Sequence, residues 1–277
     1  MTIGQWLAGA QAALERSASP DPRPDAEWIL LWALDTSRAQ LLLRAAQPLL
    51  GEALSRAEEA LAQRCEGRPL QHVLGEAWFY GRRFACDARA LIPRQDTELL
   101  CETAVRHILP GRRSVLDLCT GSGVVGVTLA LERPLCAVTA TDLSGEALSL
   151  ARENAARLGA KVRFLQGDLY AAVREERFDA ILSNPPYLTG GEMRALQSEV
   201  RYDPEMALFG GEDGLEFYRR IARGAAEHLL PGGCIALEIG SAQAQQVCAL
   251  LREHLPVRAL GVEKDLQGLD RVVWAHL

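Results

Sequence analysis

From residue 114 onward the chain alternates short apolar, β-branched runs with stretches of helical spacing, and that alternation leaves few folds open. Strand-like runs fall at 115–118, 137–141, 162–165, 180–183, 235–239 and 271–274. Near-continuous apolar strands separated by helices predict an α/β fold, a parallel sheet covered on both faces. Such sheets bind ligands beyond the carboxyl ends of their strands. The loop after Leu118, Asp142, Asp168 and Asn184 each follow a predicted strand, so the chemistry is expected along that one edge.

The sharpest feature on that edge is Ser183-Asn184-Pro185-Pro186-Tyr187. Two consecutive prolines fix φ twice and remove two backbone donors, which makes a stiff corner whose carbonyls have no ladder to join. Asn184 adds a side-chain carbonyl, the Asn184 and Pro185 backbone carbonyls lie beside it, and Tyr187 supplies a flat ring. Together they suit a planar –NH2 group. Asn and Pro are also ordinary turn residues, so the segment gains its meaning from the strand before it and the loop upstream.

That loop, Asp117 to Gly126, places Gly121, Gly123 and Gly126 in a G-x-G-x-x-G spacing between a strand and a helix. The spacing alone fits a dinucleotide pyrophosphate at a helix N-terminus. It equally fits the amino-acid part of S-adenosylmethionine, whose ammonium group seeks acceptors, and Asp117 at the strand end favours the cation. Asp142 closes the next strand about twenty residues on, where a carboxylate can accept both ribose hydroxyls. Asp168 ends the third, where it or its backbone meets an adenine amino group while Leu169 covers the ring. Each acid alone could be a cap or a solvated charge; their placement on successive strand ends points to an adenosyl ligand.

Before this region, Ile3, Trp6, Leu7, Ala10 and Leu14 share one helical face, Asp25 and Ser37 are expected to cap a second and a third helix, and 52–65 reads as a fourth. Residues 1–72 are thus expected to form a small helical bundle, either plain packing or a docking surface for a partner. Residues 73–92, with an aromatic hairpin turning at Gly81, form a linker, and 93–277 the α/β domain. Arg94, ahead of a helix begun by Asp96 or Thr97, is a surface charge or a clamp over the site. The net charge of −6 argues against a chain built to grip nucleic acid through its phosphates. No apolar run approaches the roughly 20 residues of a membrane span, so the expected location is the cytoplasm. Seven cysteines without a C-x-x-C and five scattered histidines suggest neither a disulfide frame nor a metal site.

Six segments together resemble one family: Gly75-Glu76-x-x-Phe79-Tyr80-Gly81, Ile92-Pro93-Arg94-x-x-Thr97-Glu98, Asp117-Leu118-x-Thr120-Gly121-Ser122-Gly123, Asn184-Pro185-Pro186-Tyr187, Gly210-Gly211-Glu212-Asp213-Gly214-Leu215 and Lys264-Asp265-Leu266-x-Gly268-x-Asp270-Arg271. They are similar to the HemK-type protein-glutamine N5-methyltransferases that act on peptide chain release factors, and the likeness covers nearly the whole chain. The resemblance implies a helical N-terminal domain, a hairpin linker and a class I (Rossmann-like) methyltransferase domain. It also implies S-adenosylmethionine as methyl donor and the glutamine of the Gly-Gly-Gln motif of class 1 release factors as substrate. The enzyme is expected to be a monomer. Asn184, Pro185, Pro186, Tyr187 and Arg94 then face the substrate, with Asn184, Pro185 and Tyr187 catalytic. Asp117, Cys119, Thr120, Gly121, Ser122, Gly123, Asp142, Asp168, Leu169 and Asn184 face the cofactor. Two departures stand out. Cys119 takes a place usually held by Gly, which puts a Cβ beside the cofactor loop. Gln95-Asp96 replaces Pro-Glu, and since Asp96 keeps the charge, only a local change in how Arg94 is held is expected.

The rival reading is an N6-adenine or N4-cytosine methyltransferase of nucleic acid, because an exocyclic base amine suits the same acceptor corner. An NAD-dependent oxidoreductase would leave Asn-Pro-Pro-Tyr without a task.

Overall fold

A computed structural model describes residues 1–107 and 113–277, and these divide into two compact units. The first unit is Met1–Glu76 with the distant segment Gln197–Tyr202. Its helices are α1 (Ile3–Arg16), α2 (Pro22–Ala33), α3 (Arg38–Leu43), α4 (Gly51–Cys65) and α5 (Leu70–Leu74). Thr2 and Gln5 close a capping box on α1, which buries Ile3, Trp6, Ala10 and Leu14 as its spacing predicts. Ser37 caps α3 as expected. Asp25 does not cap α2. The helix starts one turn earlier, at Pro22, because proline is pre-set for a first helical turn. Asp25 is instead buried and accepts from Arg64 Nε at 2.7 Å. Arg64 is itself buried, donating also to Ser19 Oγ, the Arg68 carbonyl and Glu199, so the returning segment is tied to the helices by charge.

A hairpin follows, β1 (Glu76–Phe79) and β2 (Arg82–Ala85), which belongs to the second unit from Ala77 onward and is turned by Tyr80 and Gly81, both at positive φ. It was expected to link the domains. Its Phe79 and Phe84 rings pack edge to face, 5.9 Å apart, and are buried in the core of the second unit with Leu100 and Ala104. The main elements follow as α6 (Asp96–His107), β3 (Ser114–Leu118), α7 (Val124–Glu132), β4 (Ala137–Asp142), α8 (Gly145–Leu158), β5 (Val162–Gln166), β6 (Phe178–Ser183), α9 (Gly190–Arg194), α10 (Glu216–His228), β7 (Leu229–Glu238), α11 (Ala244–His254), β8 (Ala259–Lys264) and β9 (Asp270–His276).

Among the described residues seven strands form one sheet in the order β5-β4-β3-β6-β7-β9-β8. The first five are mutually parallel, but β9 runs antiparallel to both β7 and β8. This corrects the all-parallel expectation: the turn from Asp265 to Leu269 is too short for a crossover and permits only an antiparallel return. The strand β8 has no counterpart in the sequence reading, because this edge strand has no buried residue and therefore lacks the apolar run that marks an interior strand. Alternation sends Val115, Leu182 and Ala236 to the face covered by Leu100 and Cys101 of α6, and Leu118, Ile181 and Leu237 to the face covered by Tyr218, Ile221 and Val247 of α10 and α11. Among the described residues no helix is long and apolar enough to cross a membrane.

Candidate active site

A cavity of about 680 Å³ opens at the carboxyl ends of β3, β4 and β6, where strand order reverses on either side of β3. Asp117, Cys119, Thr120, Gly121, Ser122, Asp142, Asp168, Leu169, Asn184, Pro186 and Arg94 all line it, so residues far apart in sequence meet there. Gly123 stands just behind the wall as the left-handed N-cap of α7, where a side chain would be strained twice over, by φ 84° and by a Cβ only 3.0 Å from that of Ala151. Pro185 and Tyr187 are not brought to the wall. Pro185 is buried, and Tyr187 packs against the core beneath Gly240, its carbonyl accepting from Gln243 Nε2 at 3.0 Å.

Asp117 is 1% exposed. Its Oδ2 accepts from the Thr120 hydroxyl at 2.6 Å and the Gly126 N–H at 2.9 Å, while Oδ1 is buried without a partner. Burial pushes this carboxyl up to about 7. An orphaned carboxylate oxygen in a cavity wall suits a ligand ammonium, as the methionine end of S-adenosylmethionine would supply. Asp142 Oδ2 accepts from Gly121 N–H at 2.8 Å and Oδ1 from Ser144 N–H at 2.9 Å. These bonds fix the carboxylate and leave lone pairs for a diol. Burial raises Asp142 too, against the pull of those backbone donors. The Asp168 carboxylate is engaged by Arg220 at 2.6 Å, which leaves its other oxygen and its backbone for a ligand. Leu169 sits at positive φ beside it and is buried against the cavity. Cys119 adopts φ 57°, the left-handed turn that a glycine takes without cost, so the loop keeps its path and stores strain at a side-chain-bearing residue.

Asn184 stands one residue beyond β6, its Nδ2 donating to Thr97 Oγ1 at 3.2 Å. With Nδ2 engaged, Oδ1 is the end of the amide left for a ligand. The corner itself is clamped from outside. A Cβ on Gly210 would come within 2.7 Å of the Pro186 carbonyl, and one on Gly214 within 2.4 Å of the Tyr187 carbonyl, so only glycine lets segment 210–214 lie directly on Asn-Pro-Pro-Tyr. Paired backbone bonds, Leu188 N–H to the Leu208 carbonyl and Gly210 N–H to the Leu188 carbonyl, hold it there.

Arg94 is not held by Asp96. It donates to the buried Asp203 at 2.6 Å, and the same carboxylate accepts the Ile92 N–H at 2.9 Å. Asp96 pairs with Arg271 at 3.3 Å instead, because it begins α6 while Arg94 lies before the helix. Asp203, Thr97, Glu238 and Asn154 were missed as site residues. The signal for Asn154 was available: an Asn on the apolar face of α8, among Leu150, Ala151 and Ala155. Fully buried, it accepts from Ala85 N–H at 2.6 Å and donates to the carbonyls of Ala85 and Ser122, tying the hairpin to the cofactor loop. Asn154→Leu would strand these three backbone groups and should cost roughly 2 to 4 kcal/mol in a urea unfolding titration; a loss below about 1 kcal/mol would refute this bracing role.

The reversed strand order, the glycine turn with acids at the ends of β3 and β4, and the Asn-Pro-Pro-Tyr corner after β6 define a class I methyltransferase domain. Residues 95–201 match the family model of the methyltransferase small domain, and residues 5–75 that of the PrmC N-terminal domain. Proteins called release factor glutamine methyltransferase from Koribacter versatilis and Cereibacter sphaeroides are 42% and 44% identical, covering 99% and 100% of this chain and 98% and 99% of their own. The chain belongs to the release factor glutamine methyltransferase family. A solved methyltransferase from Pyrococcus furiosus, 23% identical with a TM-score of 0.51 over 71% of this chain and 89% of that one, shares the fold.

Proposed function

We propose that this enzyme transfers a methyl group from S-adenosylmethionine to the side-chain amide nitrogen of the glutamine in the Gly-Gly-Gln motif of class 1 peptide chain release factors. The observation that carries the reading is the Asn184 carboxamide, anchored through Nδ2 and lining the same cavity as the unpartnered Asp117 oxygen. The cofactor supplies an electrophilic methyl carbon on a sulfonium. Asp117 holds its ammonium, Asp142 its ribose, and Asp168 with Leu169 its base, while Gly121 and Ser122 bring backbone close to the chain between them.

A carboxamide nitrogen is a poor nucleophile because its lone pair is delocalised into the carbonyl. Asn184 Oδ1, which lines the cavity, accepts one of its N–H bonds, turns the lone pair toward the methyl donor and stabilises the positive charge that develops as the nitrogen displaces the thioether sulfur from the methyl carbon, after which one N–H proton is lost to water. Hydrogen bonds to a charged group contribute about 1.5 to 3 kcal/mol each, and alignment of the two reactants roughly 7 to 11 kcal/mol more. Tyr187, behind the corner, keeps it rigid, and Arg94, held by Asp203, reaches the substrate backbone. The N-terminal helical unit, residues 1–72, docks the release factor. The enzyme works as a monomer in the cytoplasm and needs no direct contact with nucleic acid.

Labelled S-adenosylmethionine offered with a release factor, with the same factor carrying Gln→Asn in its Gly-Gly-Gln motif, and with duplex DNA tests this. Label should enter only the first. Equal labelling of the Asn form would refute the glutamine assignment, and labelled DNA would favour the base-amine reading.

A further inference from the structure

The register of β6 and β7 pairs Ser183 with Leu237, so Asn184 and Glu238 stand side by side at the carboxyl ends of neighbouring parallel strands. Alternation turns both toward α6, on the same face as Leu182 and Ala236. There the first turn of α6 presents Thr97, which is buried. Glu238 is 1% exposed, the Thr97 hydroxyl and the Asn184 amide both direct hydrogen bonds at it, the former more strongly, and its Oε2 has no partner. A buried carboxylate on the apolar face of a sheet is costly. A well-packed glutamine or leucine would stabilise the fold better, which argues that the charge serves the site.

We infer that Glu238, acting chiefly through Thr97 and also directly on the Asn184 NH2 group, is a positioning residue that fixes which end of the Asn184 carboxamide faces the reaction cavity. The reason is the direction of the hydrogen bonds. Ionised, as it is above about pH 7, Glu238 can only accept, and a threonine hydroxyl has a single proton. If that proton goes to Glu238, the Thr97 oxygen can only accept, so it takes Nδ2 of Asn184, the bond observed at 3.2 Å. The chain of bonds then runs one way, from Asn184 to Thr97 to Glu238, and the acceptor Oδ1 is left for the substrate. A glutamine at 238 breaks this polarity. Its amide can donate to Thr97, whose proton then turns to Asn184 Oδ1, and the carboxamide is free to present its NH2 group to a substrate amide that needs an acceptor.

The inference rests on the proposed methyl transfer to a release factor, so the wild-type enzyme is assayed beside Glu238→Gln, Thr97→Val and the double variant. Each is read for kcat on a release factor, for cofactor affinity by calorimetry and for thermal stability. Both single variants should lose kcat by about 10- to 100-fold, the range expected when a reacting group is misoriented. Cofactor affinity should stay within twofold, Glu238→Gln should melt no lower than wild type, and the double variant should lie within twofold of the slower single one, because both break the same chain. Wild-type turnover in either single variant would overturn the inference. So would multiplicative losses in the double variant, or a fall in cofactor affinity or melting temperature that parallels kcat, since those mark a merely structural group. Failure of wild type itself to methylate the release factor would instead remove the proposed function.

Discussion

Asn184→Ala should lower turnover by about 10²- to 10³-fold while cofactor affinity stays close to wild type. The magnitude is that of removing one preorganised acceptor or donor aimed at charge that develops in a transition state. The split follows from where the residue sits. Asn184 is anchored through Thr97 at the end of β6, whereas Asp117 and Asp142 lie at the ends of β3 and β4. Loss of Asn184 Oδ1 leaves the two carboxylates and their backbone donors in place. Asn184→Asp is a second, more demanding variant. It keeps the shape and an oxygen, but its carboxylate has no N–H to give Thr97, so the side chain is both charged and unanchored, and it should be nearly as slow. Single-turnover rates with saturating cofactor, alongside a calorimetric titration, would separate the two quantities. Turnover of Asn184→Ala within threefold of wild type would end the idea that this carboxamide grips the substrate amide.

The parts of this site that announce themselves in the sequence are those whose chemistry is local. Asn-Pro-Pro-Tyr is a corner because of its own prolines, the glycine turn follows its own strand, and Asp142 closes its own. The parts that stay silent depend on partners brought together by the fold. Asp203 looks like a loop acid until Ile92 and Arg94 arrive, more than 100 residues away in sequence, to share its carboxylate. Glu238 ends an apolar run and looks like the polar stop of a strand, since its neighbours on β6 and α6 are set by sheet register, which sequence does not print. Asp25 misleads for the opposite reason: it is a good capping residue by type, yet Pro22 already starts the helix, and a buried Arg64 claims the carboxylate. The motif glycines at 210 and 214 are legible as a pattern but not as a cause, because the surface they must approach, the outside of the proline corner, exists only once the chain has folded.

Cofactor affinity should weaken as pH falls below neutrality, by about fivefold between pH 7 and 6 and by tenfold for each further unit, and Asp117 should be the reason. Burial pushes its carboxyl to about 7 in the free protein, whereas binding an ammonium requires the ionised form. Below that value the proton must be expelled before the cation can pair with Oδ1, and the cost grows linearly as pH falls. Calorimetry at pH 6 in two buffers of different ionisation enthalpy should therefore register release of close to one proton. Asp117→Asn should lose the slope and bind about 10- to 150-fold more weakly near pH 8, the value of a charge-assisted hydrogen bond of about 1.5 to 3 kcal/mol. Stability of the free protein should show the linked effect with opposite sense. A carboxyl raised in the folded state binds its proton more tightly there than when unfolded. Its contribution is therefore full below the ordinary carboxylate value and is lost as pH rises through about 7. Glu238, pushed to about 7 by burial, adds to the same trend, so unfolding titrations should find the free protein less stable at pH 8 than at pH 6 apart from other groups. Asp117→Asn should flatten that slope in part, and saturating cofactor should reverse the part that belongs to Asp117. A pH dependence of binding that survives in Asp117→Asn would belong to Asp142 and would remove Asp117 from the ammonium site.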